Sequence, residues 1–391
     1  MHILIIPSDH FQTARAPLSG IFQLHQATAL NAAGHQVGIL SPGVISVRYF
    51  LRRYPYLKTE LSHGYPIHRS YVRKLFPQRW ISPQSGIAMY QDIGLALYQQ
   101  YVARHGKPDL IHAHDIKYAG FVAQSIKALD NIPYIITEHS SVWLEESISH
   151  WITPAKAAVQ NAAVMTAVSA VLGESIRKQL DIASFEVLPN LVDDHFMPDS
   201  LNKQRHSEFV FLNVASLDAN KNQSLLIKAF AQHFRGKSVA LHIGGTGPFE
   251  RRLKRLAKKL GVSHQIVFLG YLNRTLLAHA MQKADCFVLS SFMETFGVVL
   301  IEALKCGIPV VATRCGGPNE IVTEKNGLLV DVDDVSDMGQ AMVKMFERGA
   351  CYSPEDLRED CMSRFGAKIF VERTLKLYER VMAGDNLACV E

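Results

Sequence analysis

Hydrophobic positions along this chain alternate between two textures. Apolar runs of a few residues, bounded by polar or glycine-bearing turns, give way to longer stretches in which apolar residues recur every three or four positions. The first is the pattern of a buried strand and the second that of an amphipathic helix. In the first half, strands are predicted at His2–Ile6, Gln36–Leu40, Leu110–Ala113, Tyr134–Thr137, Val164–Ala167 and Phe185–Leu188. Helices are predicted near Gly20–Ala33, Ile87–His105, Ala119–Ala128, Pro154–Asn161 and Ala170–Gln179. A polar, aperiodic segment from Met197 to Ser207 reads as a linker. The alternation then restarts. Strands are expected at Phe209–Ala215, Val239–Gly244, Ile266–Gly270, Cys286–Leu289, Pro309–Thr313 and Gly327–Val330, and helices at Asn222–Phe234, Phe249–Leu260, Thr275–Lys283, Val298–Lys305 and Ala367–Met382. Strand–helix alternation predicts α/β architecture with parallel sheets. Two such series predict a domain over 1–195 and another over 208–367, with a ligand at the carboxyl ends of both sheets, in a cleft between them.

At 391 residues the chain exceeds the size at which one core stops growing, in keeping with two domains. No run reaches the roughly 18 uncharged apolar residues of a membrane span. Met1 to Pro7 reads as a first strand rather than a secretion signal, because it lacks a basic start. The six cysteines form no C-x-x-C pair, which suits reduced thiols in a cytoplasmic protein better than a disulfide framework or a zinc site.

The net charge of +5 is unevenly spread. Between Arg48 and Trp80 stand eight Lys or Arg, eight aromatics and one acid, Glu60. Basic residues interleaved with aromatics suit a surface that meets anionic lipid headgroups. Arg48, Arg52, Arg53, Arg73, Lys74 and Trp80 are the candidates for an acceptor or membrane face. A solvated insertion has the same composition. The charge is too local for a nucleic-acid binder. A second basic run, Arg251 to Leu260, carries leucines at helical spacing and reads as an exposed helix face.

The densest chemistry lies in Ser291-Phe-Met-Glu294-Thr-Phe-Gly297-Val-Val-Leu-Ile-Glu302. A strand ends, the backbone turns at Gly297 and a helix begins, so unpaired N–H groups and a partial positive charge form a seat for phosphate. Glu294 stands at that mouth and Glu302 lies deeper, where it can accept hydrogen bonds from hydroxyls. Taken alone, such a pair is also compatible with two surface glutamates. Lys221 follows the first strand of the second half in a loop, placed to neutralise a diphosphate. Gly20 opens the first helix after the first strand, yet the G-x-G-x-x-G dinucleotide pattern is missing, which argues against an NAD-dependent dehydrogenase. His112, His114 and Asp115 alternate at a strand end. They could ligate a metal, but no further ligand cluster accompanies them and none is assigned. His139 ends another strand, suited to bonding a sugar hydroxyl or a phosphate.

In combination these landmarks resemble the retaining family 4 glycosyltransferases of the GT-B fold over nearly the whole chain. The matching segments run in family order: Gly20, Gly34-His-Gln-Val, Asp109-Leu-Ile-His-Ala-His114, Thr137-Glu-His139, Leu188-Pro-Asn190-Leu-Val-Asp193, Gly245-x-Gly247-Pro, Phe268-Leu-Gly270-Tyr, Glu294-x7-Glu302, Gly316-Gly-Pro-x-Glu320 and Asn326-Gly-Leu-Leu-Val330. The resemblance implies two Rossmann-like domains facing across a cleft, with residues 368–391 crossing back to complete the first. It implies that Glu294 contacts the donor sugar and that Phe296, Gly297 and Val298 hold the diphosphate with Lys221. Glu302 would bind the ribose, Gly270 and Tyr271 would face the base, and His139 and Gly20 would line the sugar and phosphate side. One departure stands out: where the family often carries Gly-Arg-Leu, this chain reads Ala215-Ser216-Leu217, so Ser216 replaces a diphosphate cation.

The expected activity is retaining transfer of a sugar from a nucleoside-diphosphate sugar to a hydroxyl of a glycan or lipid-linked glycan in cell-surface polysaccharide synthesis. No metal or other cofactor is expected, and the anticipated location is the cytoplasm with peripheral contact at the inner membrane face. The alternatives are a GT-B-like nucleotide-sugar epimerase or hydrolase, and a two-domain ligand-binding protein without catalysis.

Overall fold

Strands that are apolar on both faces have to be covered on both, which favours a parallel sheet sandwiched by helices. The computed structural model describes residues 1–7, 11, 19–45, 57–70, 72–73, 83–145, 151–193, 196, 208–348 and 351–384. The chain divides into two compact units, Met1–Leu191 with Phe370–Glu391, and Val192–Ile369.

The first unit runs β1 (His2–Ile6), α1 (Ile21–Ala32), β2 (Gln36–Ser41), β3 (Val44–Ile45), β4 (Leu57–Ser62), β5 (Tyr65–Ser70), β6 (Val72–Arg73), α2 (Pro83–His105), β7 (Leu110–His114), α3 (Phe121–Asp130), β8 (Tyr134–Glu138), α4 (Ile152–Asn161), β9 (Val164–Ala167), α5 (Ala170–Leu180) and β10 (Glu186–Val187). Its main sheet has the order β10-β9-β8-β7-β1-β2-β5-β4, with β3 and β6 pairing apart from it. Only β4 runs antiparallel to its neighbour in that sheet. Strand order reverses between β1 and β7, so the loops after these strands diverge there.

The hairpin β4–β5 is a difference from the sequence reading, which took this stretch for a basic surface. Its turn, His63-Gly64, has φ of 55° and 86°, the left-handed pair that matches the twist of two antiparallel strands. Arg69 of this basic stretch is buried, bonded to Glu60 at 2.6 Å, and Tyr65 is buried as well. The candidates Arg48, Arg52, Arg53, Lys74 and Trp80 lie outside the described residues, and of Arg73 only the backbone, in β6, is described. The segment from Met197 to Ser207 also lies outside them.

The second unit runs β11 (Phe209–Val214), α6 (Gln223–Phe234), β12 (Val239–Gly244), α7 (Glu250–Lys259), β13 (Ile266–Gly270), α8 (Arg274–Lys283), β14 (Cys286–Leu289), α9 (Val298–Lys305), β15 (Val310–Thr313), α10 (Pro318–Ile321), β16 (Gly327–Val330), α11 (Val335–Arg348) and α12 (Pro354–Phe365). All its strands are parallel, in the order β13-β12-β11-β14-β15-β16. This is the doubly wound order, with its switch point between β11 and β14. Phe211, Phe230 and Phe234 fill its core with Leu226, Leu241 and Met342. Each fully buried side chain of this size contributes about 1.5–3 kcal/mol. α7 buries Leu253 and Ala257 and exposes its arginines and lysines, the ordinary amphipathic helix expected of that basic run.

α11 and α12 were not anticipated. α11 buries Met338, Ala341, Met342 and Met345, a helical stripe made largely of methionine. The final helix, α13 (Ala367–Met382), belongs from Phe370 onward to the first unit. Its Leu377, Tyr378 and Val381 join Ile3, Ile5, Val37 and Ile39 in that core. No helix among the described residues is long and apolar enough to cross a membrane.

Candidate active site

The loop after β11 is closed by its own side chains. Asp218 accepts from the Lys221 backbone N–H at 3.2 Å and from Ser216 Oγ at 2.5 Å. Asn220 ties this loop to the one after β14: its carbonyl accepts from Phe292 N at 2.7 Å and its amide donates to the Met293 carbonyl at 3.0 Å. Ser290 Oγ donates to the Lys221 carbonyl at 2.8 Å. Lys221 Nζ therefore arrives 2.6 Å from Glu294 Oε1, which also accepts from Ser291 Oγ at 2.7 Å. The backbone of Glu294 is clamped in turn: its N–H donates to the Cys315 carbonyl and its carbonyl accepts from Gly317 N–H, both at 2.9 Å.

Gly297 caps α9 at φ 100°, a conformation that favours glycine. The first N–H groups of α9 have no partner within the helix, so the turn from Phe296 to Val298 presents donors to an anion. Phe296 is buried, its ring edge-on to Phe365 at 5.7 Å. Glu302, one turn deeper, is almost fully buried, and burial pushes its carboxyl up to about 7 even though Arg274 draws it down. Arg274 Nη1 lies 3.3 Å from Glu302 and Nη2 lies 2.5 Å from Asp193. β13 ends at Gly270, whose carbonyl accepts from Gly245 N–H at 2.7 Å, and the next side chain, Tyr271, is 58% exposed. The second unit thus brings Ser216, Lys221, Glu294 and the start of α9 to its switch point.

In the first unit Gly20 caps α1 at φ 71°, and a Cβ there would stand 2.7 Å from the Phe11 ring. His139 follows β8. Its N–H donates to Asp115 at 2.8 Å and to Glu138 at 3.1 Å, and its ring stacks on Phe22. His139 Nε2 and His114 Nδ1 are 2.9 Å apart, while His139 Nδ1 is buried without a hydrogen-bond partner among the described residues. Burial holds both rings below the usual imidazole range. Glu138 accepts from Ile116, His139 and Ser140, yet burial and the adjacent Asp115 push its carboxyl well above the usual range. His112 is no metal ligand in waiting: one ring nitrogen pairs with Tyr378 Oη at 2.7 Å and the other with Thr137 Oγ1 at 2.6 Å. Among the described residues no group of three or more His, Cys, Asp or Glu side chains is arranged to hold a metal ion.

Sequence reasoning missed Asp218, Ser291 and Arg274, and read His114 as a possible metal ligand where it pairs with His139. The first two were legible three residues before Lys221 and Glu294, the reach of a side chain closing its own turn. Nothing local marked Arg274, whose partners are remote in sequence.

Two Rossmann-like units, the second with a lysine, two glutamates and a helix N-terminus at its switch point, define a GT-B-type glycosyltransferase. A family model described as Glycosyltransferase Family 4 matches residues 20–196, and one described as Glycosyl transferases group 1 matches residues 199–362. The chain belongs to the family 4 glycosyltransferases. It is 24% identical over 315 residues to N-acetyl-alpha-D-glucosaminyl L-malate synthase of Bacillus anthracis, covering 75% of this chain and 81% of that one. It is also 24% identical over 391 residues to the phosphatidylinositol N-acetylglucosaminyltransferase gpi3 subunit of Schizosaccharomyces pombe, covering 95% and 79%. The fold is shared with sucrose-phosphate synthase from Thermosynechococcus elongatus, with TM-score 0.77, 21% identity and coverage of 98% and 100%. It is shared too with Anabaena HepE in complex with UDP, with TM-score 0.74, 19% identity and coverage of 97% and 100%.

Proposed function

We propose that this glycosyltransferase moves a sugar from a nucleoside-diphosphate sugar to a hydroxyl acceptor with retention at the anomeric carbon and without a metal ion. The observation that carries this reading is the Lys221–Glu294 pair beside the open N-terminus of α9. The bond from the anomeric carbon to the β-phosphate oxygen breaks, and an oxocarbenium-like sugar and an anionic diphosphate develop. Lys221 and the amides at Phe296, Gly297 and Val298 stabilise the diphosphate, so the charge is met by fixed donors. Glu294 orients the sugar hydroxyls, Glu302 the ribose, and the Gly270–Tyr271 turn the base. His139 and Gly20 are the first unit's contribution to transfer. The acceptor oxygen attacks from the departing face, and its proton passes to the leaving phosphate.

HepE is seen with UDP and with UDP-glucose, which supports a nucleotide sugar as donor class here. The relative from S. pombe is named for phosphatidylinositol, which supports a lipid-linked acceptor. The basic, aromatic stretch from Arg48 to Trp80 supports peripheral contact with anionic lipid at the inner membrane face.

A thermal-shift screen against UDP, GDP, ADP and their sugars tests the donor, since a ligand of the native state raises Tm. NMR of the product then reads the anomer. Free or epimerised sugar without transfer removes the proposal, as does a rate that collapses in EDTA.

A further inference from the structure

Arg274 sits at the first position of α8 and joins two carboxylates that are far apart in the chain. Nη2 is 2.5 Å from Asp193 and Nη1 is 3.3 Å from Glu302. Its guanidinium lies over the Phe196 ring at 4.7 Å. Its Nε is buried without an acceptor among the described residues, so its placement rests on those two acids and that ring. Asp193 is held independently, because Lys305 Nζ donates to its carbonyl at 3.0 Å and Phe196 N–H donates to the same carbonyl at 3.3 Å. The Val192 N–H, one residue earlier, donates to the Phe365 carbonyl at 2.9 Å. Asp193 is thereby fastened to α9 and Val192 to α12, and Arg274 links Asp193 to Glu302.

A buried carboxylate on a helix has several rotamers, which aim its oxygens in different directions. A charge-assisted bond from a fixed guanidinium selects among them. We propose that Arg274 is a positioning residue for the donor: it holds the Glu302 carboxylate toward the ribose hydroxyls and couples that carboxylate to Asp193. The proposal rests on reading Glu302 as the ribose ligand.

The charged groups that act on Glu302 are Arg274, which lowers its pKa, and Asp193, which raises it, against a background of burial that also raises it. Neutralising Arg274 leaves Glu302 protonated to higher pH, and neutralising Asp193 lets it ionise at lower pH. An arginine without influence on the ribose-binding carboxylate would leave the pH dependence of nucleotide affinity unmoved.

The test uses the full-length protein and calorimetric titration with whichever of UDP, GDP or ADP raises Tm most, from pH 5.5 to 8.5. Arg274→Gln is expected to weaken binding about tenfold at pH 7 and to move the acid limb of affinity to higher pH, with Arg274→Lys intermediate. Asp193→Asn is expected to move that limb to lower pH. In a Glu302→Gln background, Arg274→Gln should add little, because the carboxylate it positions is gone. If Arg274→Gln does not fold, the pH midpoints of Arg274→Lys and Asp193→Asn decide. Unchanged binding in Glu302→Gln removes the ribose reading and this inference with it. Weakened binding in Glu302→Gln beside an unmoved affinity and midpoint in the Arg274 variants removes this inference alone.

Discussion

Lys221 Nζ and Glu294 Oε1 are 2.6 Å apart although 73 residues separate them in the chain. They meet because β11 and β14 are neighbours, Phe211 against Cys286 and Leu212 against Phe287, so the loops leaving these strands emerge side by side. Both side chains are mostly shielded, at 21% and 14% exposure, which strengthens their attraction above that of a surface pair. On the proposed reading, a nucleotide sugar exchanges this contact for two of its own, phosphate on the lysine and hydroxyl on the carboxylate. Lys221→Ala and Glu294→Ala are each expected to lower turnover by roughly 100-fold or more. Steady-state kinetics measures that, and circular dichroism checks that the fold survives. Near-normal turnover in either variant refutes the assignment.

His139 offers a separate test on the first unit. Its backbone N–H is pinned by Asp115 and Glu138 and one ring nitrogen by His114, and its Nδ1 has no partner among the described residues. Burial keeps the ring neutral near pH 7, so it serves as a hydrogen-bonding group rather than as a cation. His139→Ala is expected to cost roughly 10- to 100-fold in kcat while nucleotide affinity stays near the parent value. An unchanged kcat would leave His139 as a packing residue stacked on Phe22.

Glu302 ties the candidate site to stability. Its carboxyl ordinarily titrates at 4.5 and is raised to about 7 in the fold, first by burial. An acid with a raised folded pKa holds its proton in the native state after the unfolded chain has released it. Its contribution is therefore complete below pH 4.5 and disappears as pH rises through 7. Relative to Glu302→Gln, the parent protein should lose about 3 kcal/mol between pH 4.5 and 7.5. Urea unfolding at four pH values across that interval measures the difference, and a constant offset would show that the fold does not raise the Glu302 carboxyl.

Much of this architecture was legible because its signals are local. β14 and α9 were placed to the residue, since Gly297 and Gly307 punctuate a run that is otherwise apolar. The two glutamates and Lys221 stood out because each follows a strand in its own segment. The hairpin β4–β5 was hidden by composition: Lys58, Glu60 and Arg69 suggested a solvated surface, and only pairing across the strands brings Arg69 opposite Lys58 and beside Glu60. Arg274 was invisible for a related reason. Its partners, Asp193 and Glu302, lie in other elements, and no periodicity spans such separations. The burial of Glu302 likewise depends on how β14, β15 and α12 pack around α9, which residue spacing does not encode.

His112 and Tyr378 join the last helix to the first sheet, and the pair makes acid sensitivity a measurable consequence of that join. Tyr378 Oη is 2.7 Å from His112 Nδ1, and Thr137 Oγ1 is 2.6 Å from Nε2, so the neutral ring is satisfied on both sides. Burial, with some help from His139, pushes its pKa down to about 3. Below pH 6.5 the unfolded chain takes up a proton that the folded ring refuses, so stability falls as pH drops from 6.5 toward 3. This residue alone supplies a slope of about 1.4 kcal/mol per pH unit. His112→Gln should flatten the acid limb by that amount. Tyr378→Phe should instead lower stability by about 1–3 kcal/mol across the whole range, because it strands a buried ring nitrogen without removing the titrating group. Unfolding titrations of the two variants separate these effects, and parallel acid limbs in His112→Gln and the parent would mean that His112 takes its proton in the folded state.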